Sequence, residues 1–205
     1  GNDAGTRYLF YADNENGLFR YNELLDIWEV PLFQSGDPLT DDVLAADIAY
    51  VTVWKSRLWM VQRDSGDAWY LDPGAIQGAA TAFNFGTKLR HGGELKALFN
   101  WTIDGGAGVD DILVAVGHGG DILGYAGTDP ATIATFNLIA SYYVGEFPKS
   151  RNVGIEYGGE LYLLSTYGVI SVKQLLQGVL YEDPSQEPSA KINRFLRDAV
   201  DLWRN

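Results

Sequence analysis

The chain has 205 residues, 46% of them hydrophobic, which is enough to bury a core in one large domain or two small ones. It carries 15 Lys and Arg against 27 Asp and Glu, a formal net charge of -12, and this argues against general affinity for nucleic acid, which depends on basic side chains. The lack of Cys excludes disulfides, thiolate nucleophiles and Cys-ligated zinc, and no apolar run reaches the ~18–20 residues of a membrane helix.

The strongest pattern is a repeated hairpin, in which an apolar strand, a glycine-containing turn and an aromatic-bearing strand follow one another. The turn glycines are Gly17, Gly66, Gly120 and Gly168, about 50 residues apart, a spacing typical of propeller blades. Further strands are predicted before three hairpins (Ile48–Trp54, Ala97–Ile103, Val153–Tyr157) and after three (Asp26–Val30, Ala82–Phe85, Thr135–Ile139).

We therefore expect an all-β fold of propeller-like repeats of antiparallel strands, with about four blades or as part of a larger propeller. The alternative is a β-sandwich whose hairpins happen to be evenly spaced. The predicted β domain spans 1–182, with repeats at about 1–47, 48–95, 96–150 and 151–182.

Residues 183–205 are predicted to be a linker followed by a helix. Pro184 and Pro188 break the chain, and an amphipathic helix is expected from about Ser189, its N-cap, to Arg204. Its apolar side chains recur with helical spacing at Ile192, Phe195, Leu196, Ala199, Val200 and Trp203. This stripe packs either on its own domain or on another subunit or a further C-terminal part of a longer chain; the interface candidates are Ile192, Phe195, Leu196 and Trp203.

Catalytic motifs are scarce. The sequence has two histidines, His91 and His118, and it has no GxSxG elbow, Walker A loop or GxGxxG that opens a helix. His118 is interpreted as a turn residue, and Asp110 and Asp111 would point to opposite faces of a strand. We predict no catalytic residue, no cofactor and no enzymatic activity.

Residues 105–113 match the calcium nonapeptide G-G-x-G-x-D-x-U-x once. Calcium sites of this kind need stacked repeats, so Asp104, Asp110 and Asp111 are only minor calcium candidates, and a hairpin tip rich in turn formers is the preferred interpretation. Four tryptophans in or beside predicted strands are expected to pack between sheets rather than stack on sugar: Trp54, Trp59, Trp69 and Trp101.

Three stretches resemble a family of virion structural proteins from tailed bacteriophages. They are Trp54-Lys55-Ser56-Arg57-Leu58-Trp59 leading to Ala75-Ile76-Gln77-Gly78; Trp101-Thr102-Ile103-Asp104-Gly105-Gly106 with Asp110-Asp111 and Gly127-Thr128-Asp129-Pro130; and Gly159-Glu160-Leu161-Tyr162-Leu163-Leu164-Ser165-Thr166-Tyr167-Gly168. The resemblance spans roughly residues 50–200 and is greatest to the packaged-DNA stabilisation or tail-hub proteins of short-tailed phages.

The resemblance implies a non-enzymatic tail or head–tail connector protein, made in the host cytoplasm and found in the virion. Its expected partners are portal or tail subunits and further copies of itself, with no sequence-specific nucleic-acid binding and no membrane. An acidic surface suits a DNA conduit, because it would not hold the passing duplex. The alternatives are a carbohydrate-active or carbohydrate-binding propeller and a propeller scaffold for a protein complex.

Overall fold

The described residues form mostly β-structure, with a short helix near the C-terminal end. The structure is a computed structural model, and it describes residues 6–35, 43–104, 109–132, 134–176 and 189–202. Within these ranges the strands form four sheets that follow one another along the chain. The predicted all-β class and C-terminal helix are confirmed. No helix of the described part is long and apolar enough to cross a membrane.

Sheet 1 is an antiparallel meander of β1 (Tyr8–Asp13), β2 (Gly17–Asn22) and β3 (Ile27–Glu29). Its first turn forms because the Asp13 carboxylate accepts the backbone N–H groups of Glu15 and Asn16, an arrangement that competes with extended structure.

Sheet 2 comprises β5 (Ile48–Trp54), β6 (Arg57–Gln62), β7 (Asp67–Leu71) and β8 (Gly78–Asn84), with β4 (Phe33–Ser35) parallel to β8 at its outer edge. Strand β4 lies in the first predicted repeat, 1–47, but pairs with the sheet formed by the second. The first repeat therefore supplies the outermost strand of its neighbour.

Sheets 3 and 4 repeat the same meander. Sheet 3 contains β9 (Leu95–Asp104), β10 (Val109–Gly117), β11 (Asp121–Gly127) and β12 (Phe136–Tyr143). Sheet 4 contains β13 (Gly154–Tyr157), β14 (Glu160–Ser165) and β15 (Gly168–Ser171), and runs directly into α1 (Val172–Leu176). A 3₁₀ turn at Ala190–Ile192 precedes α2 (Asn193–Leu202).

The apolar core of the described residues is divided among three clusters, one between each pair of consecutive sheets. Leu18, Met60 and Trp69 belong to the cluster between sheets 1 and 2. The second cluster centres on Trp59, whose ring lies 6.2 Å from that of Phe136 in sheet 3. The third joins side chains of sheet 3 to Leu161 and Leu163 of sheet 4. Sheets 2 and 3 are thus covered on both faces.

Two tryptophans link successive sheets in the same way. Trp54, at the end of β5, donates its indole N–H to the backbone oxygen of Asp111 in sheet 3 at 3.3 Å. Trp101, on β9, donates to the backbone oxygen of Gly159 at 3.2 Å, in the turn of sheet 4. With Trp59 and Trp69 also buried, the prediction that these four rings pack between sheets is confirmed.

The hairpin glycines of sheets 1 and 3 mark where each of these sheets meets the connection to the next. A Cβ built on Gly17 would lie 2.5 Å from the Ala45 oxygen, and one on Gly120 would lie 2.5 Å from the Gly145 oxygen. Both residues also have positive φ, +86° and +103°. Glycine recurs there because the backbone of the following connection passes too close for any side chain.

Candidate functional site

The hairpin turns and strand starts of all four sheets meet at a polar hub, formed by Asn14, Asp64, Glu94, Lys96, His118 and Arg151. Arg151, just before β13, is buried and donates to the backbone oxygens of Leu95 and Lys96, both at 2.9 Å. The same guanidinium donates to the Glu94 carboxylate at 2.6 Å and to the Asn14 side chain at 2.9 Å. One side chain thereby ties sheets 1, 3 and 4 together.

Sheet 2 joins the hub through the same carboxylate. The backbone N–H of Asp64, in the β6–β7 turn, donates to Glu94 at 3.0 Å. Glu94 therefore accepts from both sheet 2 and sheet 4, and charge-assisted hydrogen bonds hold its half-buried carboxylate against the buried Arg151 guanidinium.

Lys96 is the second element of the hub. It is a fully buried lysine on β9, and its ammonium donates to the backbone oxygen of Lys149 at 3.0 Å and lies 3.3 Å from His118 Nδ1. Burial lowers the pKa of Lys96 to about 8, partly offset by Glu94 and reinforced by Arg151.

The pKa of His118 is also lowered, first by burial and then by the Lys96 charge. A neutral imidazole can accept at Nδ1, so the Lys96 contact is a donated hydrogen bond. His118 lies in the β10–β11 turn, as predicted, but it also takes part in the contact that holds the segment before β13.

The second histidine is tied to a buried acid. Asp121 accepts from both the backbone N–H and the Nδ1 of His91, each at 2.8 Å, and the Tyr143 ring lies 4.0 Å from the imidazole. Both carboxylate oxygens of Asp121 thus bind His91, and this contact anchors the connection between β8 and β9 to the start of β11.

A cleft of about 500 Å³ lies beside the hub, between β1, β5 and residues 149–152. Among the described residues that line it, Asp13 is the one carboxylate. Hydrogen bonds from Asn16 and Glu15 hold the pKa of Asp13 at about 2. At neutral pH the Asp13 carboxyl is therefore ionised, and among the described lining residues it has no second carboxyl group beside it of the kind that glycoside hydrolysis uses.

The calcium candidates are only partly described. Asp111 lies 3.4 Å from the Lys55 ammonium and accepts from the Thr102 hydroxyl at 2.8 Å, so its carboxylate bridges sheets 2 and 3. The side chains of Asp104 and Asp110 lie outside the described residues. Among the described residues no group of three or more His, Asp or Glu side chains is placed to hold a metal.

The open face of sheet 1 is an apolar surface that the sequence did not single out. Leu9, Tyr11, Phe19, Tyr21 and Trp28 lie on it, because paired strand positions share a face. Trp28 is 54% exposed and Leu9 60% exposed, whereas the opposite face of the sheet contributes Leu18 to the core.

Sheet 4 has a second open face, at the other end of the series of sheets. Ile155, Tyr157, Tyr162 and Leu164 lie on it, opposite the buried Leu161 and Leu163. Tyr157 is 75% exposed. Helix α2 covers part of this face, and the Ser189 hydroxyl that precedes it accepts the backbone N–H of Val169.

The interface candidates of the terminal helix separate into two groups. Leu196, half-buried, lines a cavity of about 350 Å³ together with Leu164 and the buried Val200, so one edge of the apolar stripe packs on its own domain. Ile192 and Phe195 stay exposed, Phe195 at 73%. Trp203 lies outside the described residues.

Sequence reasoning missed the hub and the exposed Trp28. A usable signal existed for Lys96, a charged residue inside the apolar run 95–99, since buried lysines need partners. Arg151 and Glu94 are far apart in sequence and belong to no motif, so no local pattern could have paired them.

Comparison with known proteins adds no relative. No protein-family model matches the chain, and no curated protein matches it.

Proposed function

We propose that this protein is a non-enzymatic structural protein of a tailed-phage virion, a tail-hub or head-completion component that helps retain packaged DNA and joins portal or neighbouring tail subunits. The observation that carries the proposal is the polar hub. Its charged side chains, Arg151 and Glu94, bind groups of all four sheets and so hold the sheets together. A body whose sheets are fastened to one another, and whose first and last sheets each keep an open apolar face, suits a connector, which works by rigidity and surface complementarity.

The residues of the phage resemblance support the same role. Lys55 and Asp111 form an ion pair at 3.4 Å, and Arg57 pairs with Asp129 at 3.1 Å. Both contacts join sheet 2 to sheet 3, so these motif residues act in assembly of the fold.

We further infer that the four sheets are consecutive blades of a β-propeller. They follow chain order, an apolar cluster lies between each consecutive pair, and the first strands β1, β5 and β9 are neighbours in space. The Arg151–Asn14 hydrogen bond brings the entrance of sheet 4 beside sheet 1, as radial stacking about an axis requires.

The virion role is tested by mass spectrometry of purified particles. Peptides of this chain should be present at a fixed ratio to the portal protein, and the ratio should persist through a density gradient and a high-salt wash. A phage enzyme made during infection serves as the control for contamination. Recovery of the chain only from the soluble lysate would overturn the proposal.

A DNA-retaining role does not require affinity for DNA. With a net charge of -12, the isolated protein should not retain duplex DNA at ~0.15 M salt. Tight binding under that condition would contradict the conduit argument.

A carbohydrate-binding propeller is the second candidate, favoured by one observation. The half-exposed Trp28 ring lies 5.4 Å from the Tyr21 ring on an open sheet face, and bare aromatic rings stack on sugars. Glycan-array binding that Trp28→Ala abolishes and Tyr167→Ala, another exposed aromatic, leaves intact would favour it over the virion role.

A further inference from the structure

His118, in the β10–β11 turn, faces charged side chains from several elements. The Lys96 ammonium, on β9, lies 3.3 Å from its Nδ1. Arg151 adds a second positive charge from the segment before β13, and Glu94 and Glu146 add two negative charges. The Glu94 carboxylate also accepts from Arg151, at 2.6 Å. The imidazole is therefore in hydrogen-bond contact with a cation, and a second cation competes with it for one of the two acids.

The same lysine positions the entrance segment of sheet 4, which comprises residues 148–152. The Lys96 ammonium donates to the backbone oxygen of Lys149 at 3.0 Å. Arg151, in the same segment, donates to the Asn14 side chain at 2.9 Å and so links sheet 4 to sheet 1. The link between the two sheets therefore depends on a segment that the Lys96 ammonium helps to hold.

Uptake of a proton by His118 removes the acceptor of the Lys96 contact. A neutral imidazole accepts at Nδ1, whereas an imidazolium carries N–H groups on both nitrogens and has no free lone pair. Two cations would then face each other in a site where burial weakens the screening by water. Lys96, whose pKa is about 8, stays largely charged in acid and does not relieve the repulsion by losing its proton. The imidazolium also attracts Glu94, the carboxylate that holds Arg151, so both attachments of the entrance segment weaken.

We propose that His118 and Lys96 form a pH switch: when His118 takes up a proton, the entrance segment moves away from the hub and the link between sheets 4 and 1 opens, while the four sheets stay folded. The movement is local because Phe147 and Val153, on either side of the segment, are buried in the third apolar cluster. Neither side chain of the switch belongs to any of the three clusters. The inference does not depend on the virion role.

The test measures the distance between sheet 1 and the entrance segment as a function of pH. The chain has no Cys, so Glu15→Cys and Asn152→Cys, both at exposed positions, can each carry a nitroxide label for electron paramagnetic resonance. The distance distribution should be narrow at about pH 7.5 and longer and broader at about pH 5.5, since histidine titrates in this range. One proton drives the change, so the ratio of open to closed protein should rise by up to about tenfold for each pH unit below about 6.5.

Three variants of the labelled protein separate the switch from other effects of acid. His118→Gln keeps an acceptor for Lys96 but takes up no proton, so it should show the short distance at both pH values. Lys96→Met removes the facing cation and should also abolish the pH dependence. His91→Gln is the matched control: His91 lies 2.8 Å from the Asp121 carboxylate, where protonation brings opposite charges together, so this variant should respond like the wild type. Far-UV circular dichroism establishes that each variant is folded at both pH values.

A second measurement needs no substitution in the switch. The chain has two histidines, so their imidazole signals in NMR spectra can be assigned, and the titration midpoint of His118 should coincide with the midpoint of the distance change. The proposal is overturned by an unchanged distance in the labelled wild type, by a response that persists in His118→Gln or Lys96→Met or is lost in His91→Gln, or by midpoints that differ. It is also overturned if the circular dichroism signal is lost together with the short distance, because acid would then unfold the sheets as a whole.

Discussion

Lys96 makes the stability of this protein depend on pH between about 8 and 10.5. Its pKa is lowered from 10.5 in the unfolded chain to about 8 in the folded one. Between these values the unfolded chain binds more protons than the folded chain, so folding stability should rise with pH. Each pKa unit is worth about 1.4 kcal/mol, so the gain from about pH 7 to about pH 10 should be on the order of 2–3 kcal/mol.

The measurement is urea unfolding followed by tryptophan fluorescence at both pH values, in the wild type and in Lys96→Met. Subtracting the unfolding free energies of the two proteins removes the contribution of tyrosines such as the half-buried Tyr50, whose pKa is raised to about 12 by burial. Lys88→Met, at an exposed lysine, is the control and should keep the wild-type pH dependence. If the wild type and Lys96→Met differ by the same free energy at both pH values, Lys96 has an ordinary pKa and the argument fails.

Three further predictions concern the turns, the core and the acid range. Gly120→Ala should lower the free energy of unfolding by at least about 2–3 kcal/mol, because the new Cβ would clash with the Gly145 backbone and the residue has a positive φ. Gly74→Ala, where φ is positive but the space is open, should lower it by about 1 kcal/mol. Equal losses in urea unfolding would refute the close contact between Gly120 and Gly145. Trp59→Ala should lower the free energy of unfolding by about 3–5 kcal/mol, because the Trp59 ring is buried, and Trp28→Ala should lower it by less than about 1 kcal/mol, because the Trp28 ring is exposed. A larger loss for Trp28→Ala than for Trp59→Ala would contradict the burial of these two rings. The pKa of His118 is lowered below 6.5 in the folded chain, so the unfolded chain takes up the proton at a higher pH. The folding stability should therefore fall as the pH drops through and below about 6.5. In acid titrations followed by circular dichroism, His118→Gln should make the stability less dependent on pH in this range.

The repeated hairpins could be predicted from the sequence because their signal is local. The strand predicted at Ile48–Trp54 has those bounds in the structure, since a continuous run of apolar and β-branched side chains ends at the turn residues Lys55 and Ser56. The outer strands were less well placed: Thr135–Ile139 was predicted, but β12 runs Phe136–Tyr143. Edge strands are half-exposed, so their apolar pattern is weaker.

Contacts between distant residues could not be predicted in this way. The short helix α1 (Val172–Leu176) follows β15 without a turn signal, and its Val172 and Leu175 are fixed by the third apolar cluster. Likewise, Leu196 and Phe195 are adjacent in the predicted stripe, yet only the packing of α2 on Leu164 decides which of them is covered.

The Arg151–Asn14 bond has a consequence for the order in which the chain folds. It joins residues 137 apart, whereas the buried sheet residues of each apolar cluster, in the described part of the chain, come from two sheets that are consecutive in sequence. Each sheet can therefore dock on its predecessor as it leaves the ribosome, with short loops to close at every step. The segment before β13 adds the Arg151–Asn14 bond to the earliest turn, so a nascent chain halted before Arg151 would hold its sheets in sequence but lack this link between its first turn and the entrance of sheet 4.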